Sequence, residues 1–258
     1  MIDLLDAHTH TVASGHAYNT MNEMLLAAKE KGLKLLAITD HGNGMEGTTP
    51  RYYFENSAMI DREALGRRYG VKLLFGVELN LMDVDGSVDM SQKVLEKMDL
   101  AIVSIHPPCF PKGASMEQVM NAYVNAMKNP LINFVGHPDD GRFPVDYKAL
   151  VQAAKKYHVA LEINNHSLDG KGNRTNARQN DMEMLRYCME YEVPVILNSD
   201  AHVDTEVGNH KEAWELIHEI GFPEKLILNT DLKRFMTYVN CRCSGVTAQR
   251  PLPPEQVV

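Results

Sequence analysis

The sequence predicts a single α/β domain: a parallel, barrel-like sheet with a metal site at the C-terminal ends of its strands. Three observations carry that expectation. Short apolar runs, of the kind buried on both faces, alternate with helical stretches about seven times along 258 residues, the pattern of βα units on a parallel sheet. No Gly-rich phosphate loop follows the first strand, as an open doubly wound sheet would predict. Histidines and carboxylates instead recur just past one strand end after another. The domain is expected over residues 1–245, with a loose Pro-rich tail at 246–258.

Composition is that of an ordinary soluble globular protein, 44% hydrophobic and 23% charged, and the length suits one α/β barrel. A net charge of −8 argues against binding a nucleic acid polymer or an anionic membrane broadly. It leaves room for a small anionic substrate, because bound cations reverse the local field. No apolar run approaches the roughly 18 residues of a membrane span, and Met1 to Asp6 lacks the regions of a secretory signal. A cytoplasmic chain is expected, with Cys109, Cys188, Cys241 and Cys243 reduced. Cys241-Arg242-Cys243 could bind metal or cycle redox, but nothing near it completes a site. The number of subunits cannot be read from the sequence.

The elements follow in order. The first strand leads into Asp6-Ala7-His8-Thr9-His10, where residues two apart share a side in extended chain, so two imidazoles can aim at one point. Thr20-Met21-Asn22-Glu23 fits a capping box for a helix ended by Gly32. Leu33 to Thr39 is a buried strand ending in Asp40-His41-Gly42, followed by a loop from Asn43 to Glu55 and a helix from Asn56 to Tyr69. Val71 to Leu79 is the third strand, carrying Glu78. A hairpin excursion at Asp83 to Gly86 and a short helix at Ser91 to Met98 precede strand four, Leu100 to Ser104. Ser115 caps a helix whose methionine stripe is core packing. Strand five, Asn133 to Val135, precedes a helix capped by Asp146. Strand six, Val159 to Ile163, runs into the polar loop Ser167 to Thr175. A helix over Ala177 to Glu190 precedes strand seven, Val193 to Asn198. A helix over Asn209 to Ile220, then Leu226-Ile227-Leu228 and a helix from Asp231 to Asn240, close the fold.

Seven of the eleven histidines sit at strand ends: His8, His10, His16, His41, His106, His137 and His202. Asp40, Glu78 and Asp200 join them. In a parallel barrel all strand C-termini open on one face, so these residues converge despite their sequence separation. Histidine and carboxylate ligands suit zinc, manganese or iron. Apart from Asp40 these are nine ligand-type residues, too many for one ion, so two or three ions are expected. Glu78 is the natural bridge, since both its oxygens can ligate.

These residues carry a family resemblance. His8-Thr9-His10-Thr11, Ile38-Thr39-Asp40-His41-Gly42, Gly76-Val77-Glu78, His106-Pro107, Gly136-His137-Pro138 and Ser199-Asp200-Ala201-His202 together resemble the PHP (polymerase and histidinol phosphatase) metallohydrolases. The stretches His8 to Tyr18 and Leu161 to Asn165 are most similar to the YcdX-type phosphatase branch. The resemblance implies a distorted TIM-like (β/α)7 barrel and three divalent ions, zinc foremost, with manganese or iron as alternatives. It implies His8, His10, Glu78 and Asp200 on one ion, Glu78, His106 and His137 on a second, and His16, His41 and His202 on a third.

The expected reaction is hydrolysis of a small phosphomonoester by a metal-activated hydroxide. Glu78, Asp40 and Asp200 are the expected catalytic carboxylates, with Asp40 orienting a ligand or moving a proton. Glu162 is expected to support the ligands from behind. Arg51, His166, Arg174 and Arg178 are candidates for gripping phosphate or leaving group. Histidinol-phosphate phosphatase and nucleotide phosphoesterase activities stay open. An amidohydrolase would use a lysine bridge and an Asp on an eighth strand; a metal-storing domain would not need open metal positions.

Overall fold

The computed structural model describes residues 2–240. The expected tail at 246–258, Cys241 and Cys243 lie outside the described residues. Strands β1 (Leu5–Asp6), β2 (Leu35–Ile38) and β3 (Lys72–Phe75) pair in parallel in that order. Strands β4 (Val77–Asn80), β5 (Ala101–Ser104), β6 (Phe134–Val135), β7 (Ala160–Asn164) and β8 (Val195–Asn198) form a second parallel sheet, again in chain order. The third expected strand is therefore two strands, broken at Gly76. The Gly76 N–H still bonds Ile38 O at 2.8 Å, while the next residue, Val77, turns its N–H to Leu100 O at 3.3 Å. A Cβ on Gly76 would stand 2.5 Å from the Leu100 carbonyl oxygen, so only glycine permits this transfer between neighbours.

Single parallel bridges join the two sheets at both edges, His41 to Glu78 and Thr9 to Ala201. At the second seam His10 N–H also bonds Ala201 O at 2.9 Å. The result is a TIM-like α/β barrel of seven βα units, with the broken strand counted once.

Two apolar layers follow from the two-residue strand period. Leu36, Ile38, Val77, Leu79, Val103, Val135, Leu161 and Leu197 face outward against the helices. Leu5, Leu35, Ala37, Leu74, Ile102, Phe134, Ala160 and Ile196 fill the interior. Phe235, from the last helix (Leu232–Met236), plugs that interior and stacks on Phe134 at 5.9 Å. Continuing the inward positions upward gives Glu78 and Asn80 on β4, Ser104 on β5, Glu162 and Asn164 on β7 and Asn198 on β8, all buried. The barrel thus changes from apolar to polar along its axis, and the polar end is where the strands stop.

The helices begin and end where their caps dictate. Thr20 N–H donates to Glu23 at 2.6 Å ahead of the helix Met21–Glu30. Ser115 and Gln118 form a second capping box, and Asp146 accepts from Ala149 N. The helix expected over residues 56–69 is shorter. A 3-10 turn at Ser57–Met59 gives way to extended Ile60, and Asp61 caps a new helix, Arg62–Tyr69, through Ala64 N. The closing helix is also shorter than expected, and Leu226 to Leu228 lies between two 3-10 turns with one bridge from Ile227 to Val195. Among the described residues no helix is long and apolar enough to cross a membrane.

Candidate metal centre

Glu78, on the inward side of β4, is the hub. Its Oε2 lies 3.3 Å from His8 Nε2, 3.5 Å from His10 Nε2 and 2.7 Å from His41 Nδ1. Its Oε1 lies 3.3 Å from His106 Nε2 and 2.9 Å from His137 Nε2. Asp200 Oδ1 is 3.1 Å from His10 Nε2 and 3.6 Å from His8 Nε2. His202 Nε2 and His16 Nε2 face each other at 3.0 Å. All nine expected ligands thus meet at one pole of the barrel. Three sets converge within 4.8 Å: His8, His10 and Asp200; His41, Glu78 and His106; and His10, His41 and His202. In the second set His41 stands where the resemblance has His137, and in the last His10 stands where it has His16.

The pole fits a bound cation. His8 Nε2, His10 Nε2, His41 Nδ1 and Glu78 Oε2 are buried without an aligned hydrogen-bond partner, a costly arrangement unless something else engages them. Burial, then His202 and His41, push His10 well below the usual histidine range. The same causes, burial first, then His41 and His202, bring His16 down to about 4. Both rings therefore offer neutral lone pairs. His8 goes the other way: against burial, Glu162, Glu78 and Asp200 hold its protonated form well above the usual range. That corner of the pole calls for positive charge, whether a proton or a metal ion supplies it.

Behind the pole, buried groups fix the rings. His8 Nδ1 donates to Glu162 Oε1 at 2.7 Å. Asn198 Nδ2, the His137 N–H and Asn164 Nδ2 donate to the same carboxylate. His10 Nδ1 meets Ser14 Oγ at 2.9 Å, and Ser14 Oγ donates to Asp40 Oδ1 at 2.7 Å. His106 Nδ1 meets Asn80 Oδ1 at 2.7 Å. Each contact places the proton on Nδ1 and leaves Nε2 to the centre. Two of the expected ligand positions are also strained: His137 and Asp200 adopt φ of 30° and 55°, uncommon for residues with a Cβ.

Asp40 stands one residue back from the pole. Its oxygens accept from Thr11 N (2.7 Å), Thr11 Oγ1 (2.9 Å), Ser14 Oγ and Tyr53 OH (2.8 Å). Of the two expected roles, these contacts support orientation of His10 through Ser14.

A cavity of about 500 Å³ opens over the pole, lined by His16, His41, His106, Asp200 and His202 and, further out, by His166 and Arg174. Arg174 is largely buried and bonds Asp200 Oδ2 at 3.0 Å, Asn164 Oδ1 at 3.1 Å and Ser167 Oγ at 2.9 Å. Arg51 and Arg178 do not reach the cavity. Arg51 is exposed and pairs with Glu55 at 2.9 Å on its own helical turn. Arg178 is half-exposed and pairs with Glu219 on the neighbouring helix (Lys211–Ile220). Both were expected from their proximity in sequence to active-face loops, and each instead meets a nearer carboxylate.

Sequence reasoning missed Ser14, Asn80, Asn164 and Asn198. The three asparagines occupy inward strand-end positions, so the two-residue period could have found them. Ser14 sits four residues after His10 in a 3-10 turn (Val12–Ser14), which leaves no local signal.

The family model for the PHP domain matches residues 6–221. A Thermoanaerobacter sp. (strain X514) protein named "Probable phosphatase" is 38% identical over 236 residues, 92% of this chain and 94% of that relative. One from Caldanaerobacter subterraneus subsp. tengcongensis, with the same description, is 39% identical over 236 residues, 92% and 91% of the two chains. Among solved structures, histidinol phosphate phosphatase from Lactococcus lactis, complexed with zinc, L-histidinol and phosphate, is similar in fold. Its TM-score is 0.60 at 16% identity, over 86% of this chain and 95% of that one. A chain from the metal-dependent tyrosine phosphatase structures of Bacillus subtilis and Streptococcus pneumoniae has a TM-score of 0.53 at 17% identity, over 90% and 92%. On the extent of the domain match and these relatives, the chain belongs to the PHP domain family.

Proposed function

We propose that this chain is a metal-dependent phosphatase that hydrolyses a small phosphomonoester at a centre of up to three divalent ions. The observation that carries the reading is the set of buried, unpartnered nitrogen and carboxylate atoms around Glu78 at the floor of an open cavity. His8, His10, Glu78 and Asp200 would hold one ion and Glu78, His106 and His137 a second. His16, His41 and His202 would hold a third. The donor set favours zinc, with manganese or iron as alternatives. When bound, such ions supply Lewis acidity toward a phosphoryl oxygen and toward water.

The chain's own groups do the rest. Glu162 and the Asp40–Ser14 pair keep His8 and His10 turned to the centre. Arg174 holds Asp200 from one side and presents a buried guanidinium to the cavity, where it would oppose the charge of a phosphate. His166 lies on the outer wall, beside the space left for the leaving group. The cavity volume is that of a small-molecule site, and the net charge of −8 disfavours a polyanionic polymer.

The test is phosphate release from an aryl phosphate by purified, metal-loaded protein, followed by a panel of sugar phosphates, nucleotides and histidinol phosphate. Replacing His10 by alanine should reduce kcat/KM by about two orders of magnitude or more, and elemental analysis should find two to three metal equivalents. Activity that survives the substitution, or protein that takes up no metal, would refute the reading.

A further inference from the structure

Asp89 lies in the excursion between β4 and β5, outside the barrel, just after the antiparallel bridge of Leu81 with Val88. It is half-buried. Its Oδ2 accepts from Asn80 Nδ2 at 2.6 Å and from Gly44 N at 2.8 Å, and its Oδ1 accepts from Asn80 N at 3.0 Å. The first contact settles which way the Asn80 amide faces: its NH2 is committed to Asp89, so its oxygen is the atom 2.7 Å from His106 Nδ1. An oxygen there accepts, so the His106 proton sits on Nδ1 and the Nε2 lone pair points at the pole, 3.3 Å from Glu78 Oε1.

The same carboxylate acts on the strand across the seam. Gly44 follows His41 by three residues, and its N–H is held by Asp89. A Cβ on Gly42 would come within 2.3 to 2.6 Å of the Asp89 carboxylate atoms. The glycine of Asp40-His41-Gly42 therefore leaves the space in which Asp89 sits.

We infer that Asp89 is a positioning residue for the metal centre. Through Asn80 it fixes the ring tautomer of His106, and through Gly44 and the space at Gly42 it fixes the segment carrying His41. One residue outside the barrel thus aligns ligands from two strands that belong to different sheets. The inference rests on the metal-centre reading proposed above.

Asp89→Leu tests it with little change of shape. It removes both acceptor oxygens, so Asn80 Nδ2 keeps only the Gly42 carbonyl at 3.4 Å and the Asn80 amide is free to turn over. Its NH2 then faces His106 Nδ1, and the His106 proton moves to Nε2, the nitrogen meant for the metal. Zinc-loaded wild-type protein should show a His106 Nδ1–H in imidazole 1H–15N spectra. The variant should lose that signal and bind zinc about 10- to 100-fold more weakly in chelator competition. A residue that only stabilised the fold would leave the tautomer alone. Should Asp89→Leu fail to fold, Asn80→Leu removes the acceptor and keeps Asp89 on Gly44; it should lose the same signal. An unchanged Nδ1–H and an unchanged zinc affinity in the variant that folds would overturn the inference. Wild-type protein that takes up no zinc, manganese or iron would overturn the metal-centre reading itself, which separates the two failures.

Discussion

At the scale of single residues, the rings at the pole work because one nitrogen is spent on protein and the other is spared. Glu162, Ser14 and Asn80 are three different chemical solutions to holding Nδ1, and each depends on its own partners. A buried cluster on the other side of β1 shows the same economy for stability. His210 Nδ1 donates to Asp3 Oδ2 at 2.6 Å, and Trp214 Nε1 donates to the same oxygen at 2.8 Å. Asp6, whose Oδ1 is 3.6 Å from His210 Nε2, also accepts from Gly208 N and Ser199 Oγ, the latter next to Asp200 in the chain. Burial opposes the charge on His210, but Asp6 and Asp3 outweigh it and raise its pKa to about 10. Its unfolded value is about 6.5. The ion cluster therefore contributes fully below about pH 6.5 and is lost as pH rises through about 10. His210→Gln keeps a donor but cannot titrate. The gap in thermal midpoint between wild type and His210→Gln should be widest near pH 6 and narrow toward pH 10; a gap independent of pH would contradict the assignment.

At the scale of elements, the seam at Gly76 matters most, because it lets β3 stay with β2 while β4 carries Glu78 to β5. Gly76→Ala would press a methyl group against the Leu100 carbonyl oxygen. Overpacking of this kind costs about 1–3 kcal/mol. Because relief requires β4 to move, activity should fall more steeply than the chemical-denaturation midpoint; the ratio of the two effects distinguishes a displaced Glu78 from a merely looser fold. The strands themselves were legible in the sequence, because buried parallel strands are short apolar runs with few competing interpretations. Their ends were legible too, since histidines marked them. The break in the third strand was not: Val71 to Leu79 has the length and apolar content of a single strand, and the cause is a backbone approach by Leu100, 24 residues away. The helix expected over 56–69 failed for a similar reason, since Asp61 as an interior residue and Asp61 as a cap look alike until the chain direction at Ile60 is known. Arg51 and Arg178 lie away from the cavity lining because each pairs with a carboxylate of its own surroundings, Glu55 and Glu219, and sequence order does not say which carboxylate a long cation meets.

At the scale of the whole molecule, the barrel has one apolar end and one end lined with buried histidines and carboxylates. Leu228 and Phe235 close the bottom, while at the top Glu78, Glu162 and Asp200 gather in the interior with a ring of histidines. Desolvation opposes the charge on each of these carboxylates, so their neighbours must compensate for it. Expected ligands from the ends of β1, β2, β4, β5, β6 and β8 meet there, and among the described residues one β-bridge spans each seam between the sheets, with a few hydrogen bonds beside it such as Gly42 N–H to Glu78 O at 2.7 Å and Ala7 N–H to Asn198 Oδ1 at 2.9 Å. Ions bound at the pole would cross-link both seams, because His8 and His41 lie in one half and Glu78, His106, His137 and Asp200 in the other. Metal removal should therefore lower global stability, not activity alone. A ligand present at 100 times its Kd adds about 2.7 kcal/mol, equivalent to about 5–10 °C in thermal midpoint for a chain of this size. Chelated protein should melt lower by at least that amount, and restored zinc should recover it. His158→Ala, which alters a half-buried helix-end histidine away from the pole, should leave the size of the metal-dependent shift unchanged. His137→Ala should reduce it. A chelated barrel that melts at the temperature of the loaded one would mean that the protein alone satisfies the pole, and the buried unpartnered atoms around Glu78 would need another explanation.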